Sequence, residues 1–255
     1  MATRFFFTAL VLALVLPLTA QAQDGPPTAG ISHWKCNFGY IGDLVDEMNE
    51  AGLPVAQQMV DDGTLVGWGM MTHSWGDEWN VLFYLATPDG TDFMETAGEL
   101  QKRQIEAFGD ESNARFLENC TEHKDSIYTW RMFTTGGEGG ENPTMGVSYW
   151  KCNLGYVGDL FEEMREVGLP IAQEMVDDGS LFVSGMMTHA WGDEWNVMFY
   201  TATPDGMPFI DTAEELNDRQ NEAFGDESGA RFLENCSEHK DNIYTWQMRT
   251  EVPAN

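Results

Sequence analysis

The stretch Met70-Met71-Thr72-His73-Ser74-Trp75-Gly76-Asp77-Glu78-Trp79-Asn80 recurs as Met186-Met187-Thr188-His189-Ala190-Trp191-Gly192-Asp193-Glu194-Trp195-Asn196. The same offset of 116 residues carries Trp34-Lys35-Cys36-Asn37 onto Trp150-Lys151-Cys152-Asn153, and Arg115 to Cys120 onto Arg231 to Cys236. Between residues 34–134 and 150–250, 73 of 101 positions are identical without a gap, so the chain is an internal duplication. Two copies are too few for a solenoid, and each is long enough to be a small domain. The reading is a first repeat over 31–134, a Gly-rich linker over 135–145 that is flexible by composition, and a second repeat over 146–250. Residues 23–30 precede this body and 251–255 form a C-terminal tail.

Within a repeat the periodicity changes in an informative order. Residues 31–37 read as a strand. Helical spacing follows over 39–62 at Leu44, Val45, Met48, Val55, Met59 and Val60, with a break at Gly52-Leu53-Pro54. Residues 64–73 and 79–87 read as two strands joined around Gly76-Asp77. Pro88-Asp89-Gly90 opens a second helix to about residue 108; an excursion to 125 and a closing strand over 126–133 complete the unit. The order β-α-β-β-α-β predicts an α+β, ferredoxin-like unit with both helices on one face of an antiparallel sheet. The other face is apolar and uncovered, and two units can hide it from water by closing on each other as a pseudo-dimeric α+β barrel. In this element order, and in the Gly67 to His73 and Trp75 to Asn80 hairpin, the chain resembles the dimeric α+β-barrel superfamily. That superfamily includes stress-responsive barrels, antibiotic-biosynthesis monooxygenase-like domains and tandem haem proteins related to chlorite dismutase. The resemblance implies a fold and transfers no activity.

The first 22 residues read as an export signal: Arg4, an apolar run from Phe5 to Leu18, and the small-residue site Ala20-Gln21-Ala22. That run is shorter than the about 20 residues a spanning helix needs. A secreted or periplasmic location follows, with no membrane partner once the signal is cut. The formal net charge is −29, which removes nucleic acid as a partner, because binding it relies on Lys and Arg displacing counterions.

Four cysteines in an exported chain read as disulfides. The first and last strands of the proposed sheet are antiparallel neighbours, so Cys36 is expected to pair with Cys120 and Cys152 with Cys236. The rival is a metal site from Cys36, Cys120 and His123.

The most chemical stretch is the hairpin. His73 followed by Asp77 and Glu78, and His189 followed by Asp193 and Glu194, could form acid–base pairs in which a carboxylate orients the imidazole. They could also place a His and carboxylates on a metal, or serve only to turn and pack the hairpin with Trp75 and Trp79. Strand parity offers Lys35, Asn80 and Tyr84, with Lys151, Asn196 and Tyr200 in the second repeat, as ligand contacts beneath Trp75 and Trp191. The repeats differ where Val66-Gly67-Trp68 becomes Phe182-Val183-Ser184, and where Arg131 and Phe133 become Gln247 and Arg249. Any pocket there is asymmetric. The leading expectation is an exported protein, monomeric as a chain, that binds a small organic ligand between sheet and helices or at the barrel mouth. On this expectation it needs no cofactor or metal, and His73 and His189 are candidate acid–base groups. The competing readings are a non-catalytic structural module and a metal- or haem-dependent oxidoreductase.

Overall fold

The structure, a computed structural model, describes residues 26–251 apart from Asp77, Asp193 and Gly206. The expected export signal and the two hairpin aspartates therefore lie outside the described residues. The first repeat runs β1 (Thr28–Cys36), α1 (Ile41–Glu47), α2 (Leu53–Asp61), β2 (Gly67–Trp75), β3 (Val81–Thr87), α3 (Phe93–Asn119) and β4 (Cys120–Phe133). The second repeats the order with β5 (Thr144–Cys152), α4 (Leu154–Glu163), α5 (Leu169–Asp177), β6 (Val183–Trp191), β7 (Val197–Thr203), α6 (Phe209–Asn235) and β8 (Cys236–Arg249).

Each repeat forms the ferredoxin-like sheet β4-β1-β3-β2 or β8-β5-β7-β6, and the two join edge to edge into one closed eight-stranded barrel. The seams are antiparallel pairings of β2 with β8 and of β4 with β6. Every strand is therefore paired on both sides, which removes the exposed edges that would otherwise template aggregation. Side chains reinforce both seams: Gln247 donates to the Thr72 hydroxyl at 2.8 Å and Arg131 to the Thr188 hydroxyl at 2.7 Å. Alternation along the strands does the rest. Ile31, Leu82 and Tyr128 of the first repeat meet Val147, Met198 and Tyr244 of the second in a single core inside the barrel. The outward face of each sheet is covered by its own helices; in the first repeat Leu44, Met59 and Leu100 pack on Trp68, Met70 and Val81.

The first three strands lie within a few residues of the expected bounds, at Thr28–Cys36, Gly67–Trp75 and Val81–Thr87, and larger differences occur elsewhere. Gly52-Leu53-Pro54 is not a break: Met48–Gly52 is a π-helical turn, and Pro54 sits in the first turn of α2, where its missing N–H costs nothing. The second helix is interrupted near residue 108 as expected: Gly109, at φ 74°, takes a non-helical conformation that glycine enters readily, but beyond this kink the chain is helical again to Asn119, where an irregular excursion was expected. The closing strand then starts at Cys120, not at residue 126. The linker is pinned along the second repeat as well, since Glu141 and Asn142 donate backbone N–H groups to the Asp205 carboxylate at 2.7 and 2.6 Å.

The disulfides Cys36–Cys120 and Cys152–Cys236 are both formed, as the neighbouring first and last strands require. They consume the cysteines of the rival metal site. Each closes a loop with a sequence separation of 84 residues. Replacing Cys36 and Cys120 together by Ala is expected to remove about 4 kcal/mol of unfolding free energy in urea titration, on the loop-entropy scale. An unchanged midpoint would show that the bridge restrains nothing in the unfolded chain.

Candidate functional site

The two repeats are near-copies, yet their helix-to-sheet cores are not alike. On the outer face of β2, Trp68 is 3% exposed, and its indole packs 6.2 Å from the Phe83 ring, filling the space between sheet and helices. The core of the first repeat is accordingly continuous. At the equivalent place on β6 stands Ser184, and Leu85 is replaced by Thr201 on β7. Their hydroxyls hydrogen-bond each other at 3.1 Å. The loss of an indole and an isobutyl group splits the second core into two clusters, one around Met186 and Leu160 and one around Met175 and Leu216. Between them opens a cleft of about 590 Å³, walled by β5–β8 below and α4–α6 above. That volume lies in the ordinary range for small-molecule sites, and its lining is mainly apolar with polar side chains set among the apolar ones.

The polar groups of the cleft come from both walls. Ser184 and Thr201 lie on the sheet. On the helices Gln220 is tied to the Gly168 carbonyl at 3.0 Å, and Ser228 donates to Glu163 Oε2 at 2.9 Å while Arg231 pairs with Oε1. Tyr156, 5% exposed, lines the same space, and its hydroxyl is buried with no hydrogen-bond partner. Burial pushes this phenol above its ordinary pKa, with the Arg231 guanidinium opposing the rise, so it remains a neutral donor. At the rim stands Trp75, 62% exposed, delivered from the other repeat because the end of β2 pairs with Ile243 of β8. Gly76 makes this reach feasible. Its φ is 133°, and a Cβ there would lie 2.8 Å from the Asp241 carbonyl oxygen.

The residues singled out from sequence fall into separate places. His73 and His189 point into the barrel, edge-on to Tyr244 and Tyr128 at 5.7 and 5.9 Å, and neither lines the cleft. His73 Nε2 is buried without a hydrogen-bond partner. Glu78 and Glu194 do not accompany the imidazoles; they are exposed and pair with Lys35 and Lys151 at 3.4 and 3.0 Å. Both lysines also hold Glu122 or Glu238 and cover the rings of Trp79 or Trp195, which makes them rim clamps of the barrel. Tyr84 and Tyr200 belong to the barrel core, and Tyr200 also borders the cleft; burial pushes the Tyr84 phenol up to about 12, and Tyr200 accepts from the Trp130 indole at 2.9 Å. Asn80 accepts from the Cys36 N–H at 2.8 Å and donates to the Cys36 carbonyl at 2.6 Å; Asn196 does the same for Cys152. Their amides are strand clamps beside the disulfides. Trp191 is exposed at 61%, over the repeat whose space Trp68 fills. The sequence reading missed Tyr156, Thr201 and His33; the last is buried in the barrel against Tyr149, 3.1 Å from its hydroxyl and 116 residues along.

The described residues lining the cleft do not fit a haem. An axial imidazole needs a free nitrogen facing an apolar slot. His239 is the one imidazole bordering the cleft; its ring stacks on Trp150 at 4.3 Å and its Nε2 lies 3.5 Å from Asp241 Oδ2. Among the described residues no three His, Cys, Asp or Glu side chains converge as a metal site. The clamp role of Asn80 predicts that Asn80→Ala strips partners from two buried backbone groups and costs about 2–4 kcal/mol in thermal or urea unfolding, while small-molecule binding to the folded protein is unchanged. Loss of binding with intact stability would return Asn80 to the ligand contacts.

No protein-family profile matches this chain, and no curated protein matches it. Solved structures do. A candidate monooxygenase from Fusobacterium nucleatum superposes with a TM-score of 0.66 at 7% identity, covering 91% of this chain and 98% of its own. An anthrone oxidase-like protein gives 0.51 at 17%, covering 91% and 95%. The chlorite dismutase of Candidatus Nitrospira defluvii, solved with imidazole, gives 0.52 at 8%, covering 88% and 92%. At these identities the likeness is one of fold: the chain shares the dimeric α+β-barrel architecture, here made by two repeats of one polypeptide.

Proposed function

We propose that this is an exported small-molecule-binding protein whose ligand occupies the cleft between sheet and helices of the second repeat. One observation carries the reading. In a duplication this close, the space that Trp68 and Leu85 close in one copy is left open by Ser184 and Thr201 in the other. A void of this size costs stability, so a protein that opens it where its other copy packs Trp68 and Leu85 has a use for it. Export is supported by the signal-like first 22 residues and by the two disulfides, and no helix among the described residues is long and apolar enough to cross a membrane. The charge of −29 argues against nucleic acid and anionic surfaces as partners.

A second reading, cofactor-free acid–base chemistry, is favoured by the unpartnered Nε2 of His73. On that reading ligand enters the barrel, and His73→Gln with His189→Gln abolishes turnover.

The neutral fluorophore N-phenyl-1-naphthylamine tests the cleft. Ser184→Trp with Thr201→Leu should reduce its affinity at least about tenfold while holding or raising the melting temperature, since the void is filled. The His73 and His189 variant should bind it as the parent does. Undiminished binding by the filled variant would place the ligand elsewhere.

A further inference from the structure

The repeats carry the same four residues around one helical corner: Tyr40, Glu47, Ser112 and Arg115 in the first, and Tyr156, Glu163, Ser228 and Arg231 in the second. They are wired differently. In the first repeat Tyr40 donates to Glu47 Oε2 at 3.1 Å, Arg115 holds Oε1, and Ser112 accepts from Arg115 at 3.0 Å, so every group is used. In the second, Ser228 turns to Glu163 and takes Oε2, and Arg231 takes Oε1. Tyr156 is displaced from its acceptor and left buried against the cleft; the Arg231 guanidinium faces its oxygen, but a guanidinium can only donate, so the O–H proton has no acceptor. A buried donor without a partner is a standing penalty, and a ligand that supplies the acceptor relieves it.

Resting on the cleft reading above, we infer that the ligand is an apolar ring compound bearing a neutral carbonyl-type acceptor, which the Tyr156 hydroxyl grips. The shape follows from the walls, where aromatic and aliphatic groups such as Phe199, Phe224, Leu160 and Leu216 predominate. The acceptor follows from the chemistry of the orphan, which remains a protonated phenol at neutral pH because burial disfavours its anion. Neutrality follows from the surroundings. Glu163 and Asp241 border the cleft, the chain carries a net −29, and the Arg231 charge is already committed to Glu163. An anionic ligand would meet repulsion with no Lys or Arg among the described lining residues to offset it. The cleft is thus suited to a neutral ring ketone, held by its carbonyl at the helical corner while its rings lie against the sheet.

Two probes of one shape separate the acceptor from the rings: fluorenone, which has the carbonyl, and fluorene, which lacks it, both followed by quenching of tryptophan fluorescence. The intact protein is expected to bind fluorenone about tenfold more tightly than fluorene, the usual worth of one buried hydrogen bond. Tyr156→Phe should bring fluorenone down to the level of fluorene and leave fluorene unchanged, which also reports that the variant is folded. Tyr40→Phe, the same change in the other repeat, should move neither. Fluorene-9-carboxylate should bind no more tightly than fluorene. A fluorenone preference that survives Tyr156→Phe, or a carboxylate that outbinds the ketone, overturns the inference while leaving the cleft as the site. If Ser184→Trp with Thr201→Leu weakens neither probe, the cleft reading itself fails and the inference falls with it.

Discussion

Two strand pairings, β2 with β8 and β4 with β6, hold the rest of this molecule in place. Without them each repeat is a four-stranded sheet with two bare edges and an uncovered inner face carrying Ile31, Leu82 and Tyr128 or their counterparts. With them the inner faces become one core, and the polypeptide supplies within itself the interface that a dimer would make between subunits. The seams also explain residues that look chemical in isolation. The Trp-Gly-Asp-Glu-Trp hairpin lies where β2 crosses onto the opposite repeat, and Gly76 and Gly192 are there because that repeat's backbone comes too close for a side chain. Lys35 and Lys151 belong to the same rim, each bracing two glutamates over a tryptophan face.

Once the barrel is closed symmetrically, the copies are free to diverge on their outer faces, where each packs only against its own helices. Divergence at a few outward positions has made one half solid and the other hollow. The solid half retains Trp68, whereas the hollow half has Ser184 and Thr201, bonded to each other so that neither hydroxyl is stranded. The exposed Trp75 of the solid half overhangs the hollow one, so the cleft is built from both repeats although its void lies in one.

Much of this was legible in the chain. The duplication, the βαββαβ order and the closing of two units follow from repeat spacing and periodicity, and the disulfide pairing follows from which strands must be neighbours. The substitution of Ser184 for Trp68 was visible as an asymmetry, and it lies at the cleft. The break at Gly109 was legible, but the helix that resumes beyond it was not, because a glycine at positive φ reads as an end whether or not the chain re-enters a helix. Asn80 was misjudged because parity says which face a residue takes, not that its amide is spent on the backbone of Cys36. The displaced hydroxyl of Tyr156 could not have been read at all. All four residues of that corner are identical in the two repeats, and the difference lies in which hydroxyl takes the carboxylate's second oxygen, Tyr40 in the first and Ser228 in the second.

A tandem repeat with 73 of 101 positions identical is predicted to have one ligand site, not two. Isothermal titration calorimetry of the intact chain with fluorenone counts them. A stoichiometry of one per chain is the predicted result; two equivalent sites per chain would mean that the Trp68 half is as open as its twin and would contradict the account.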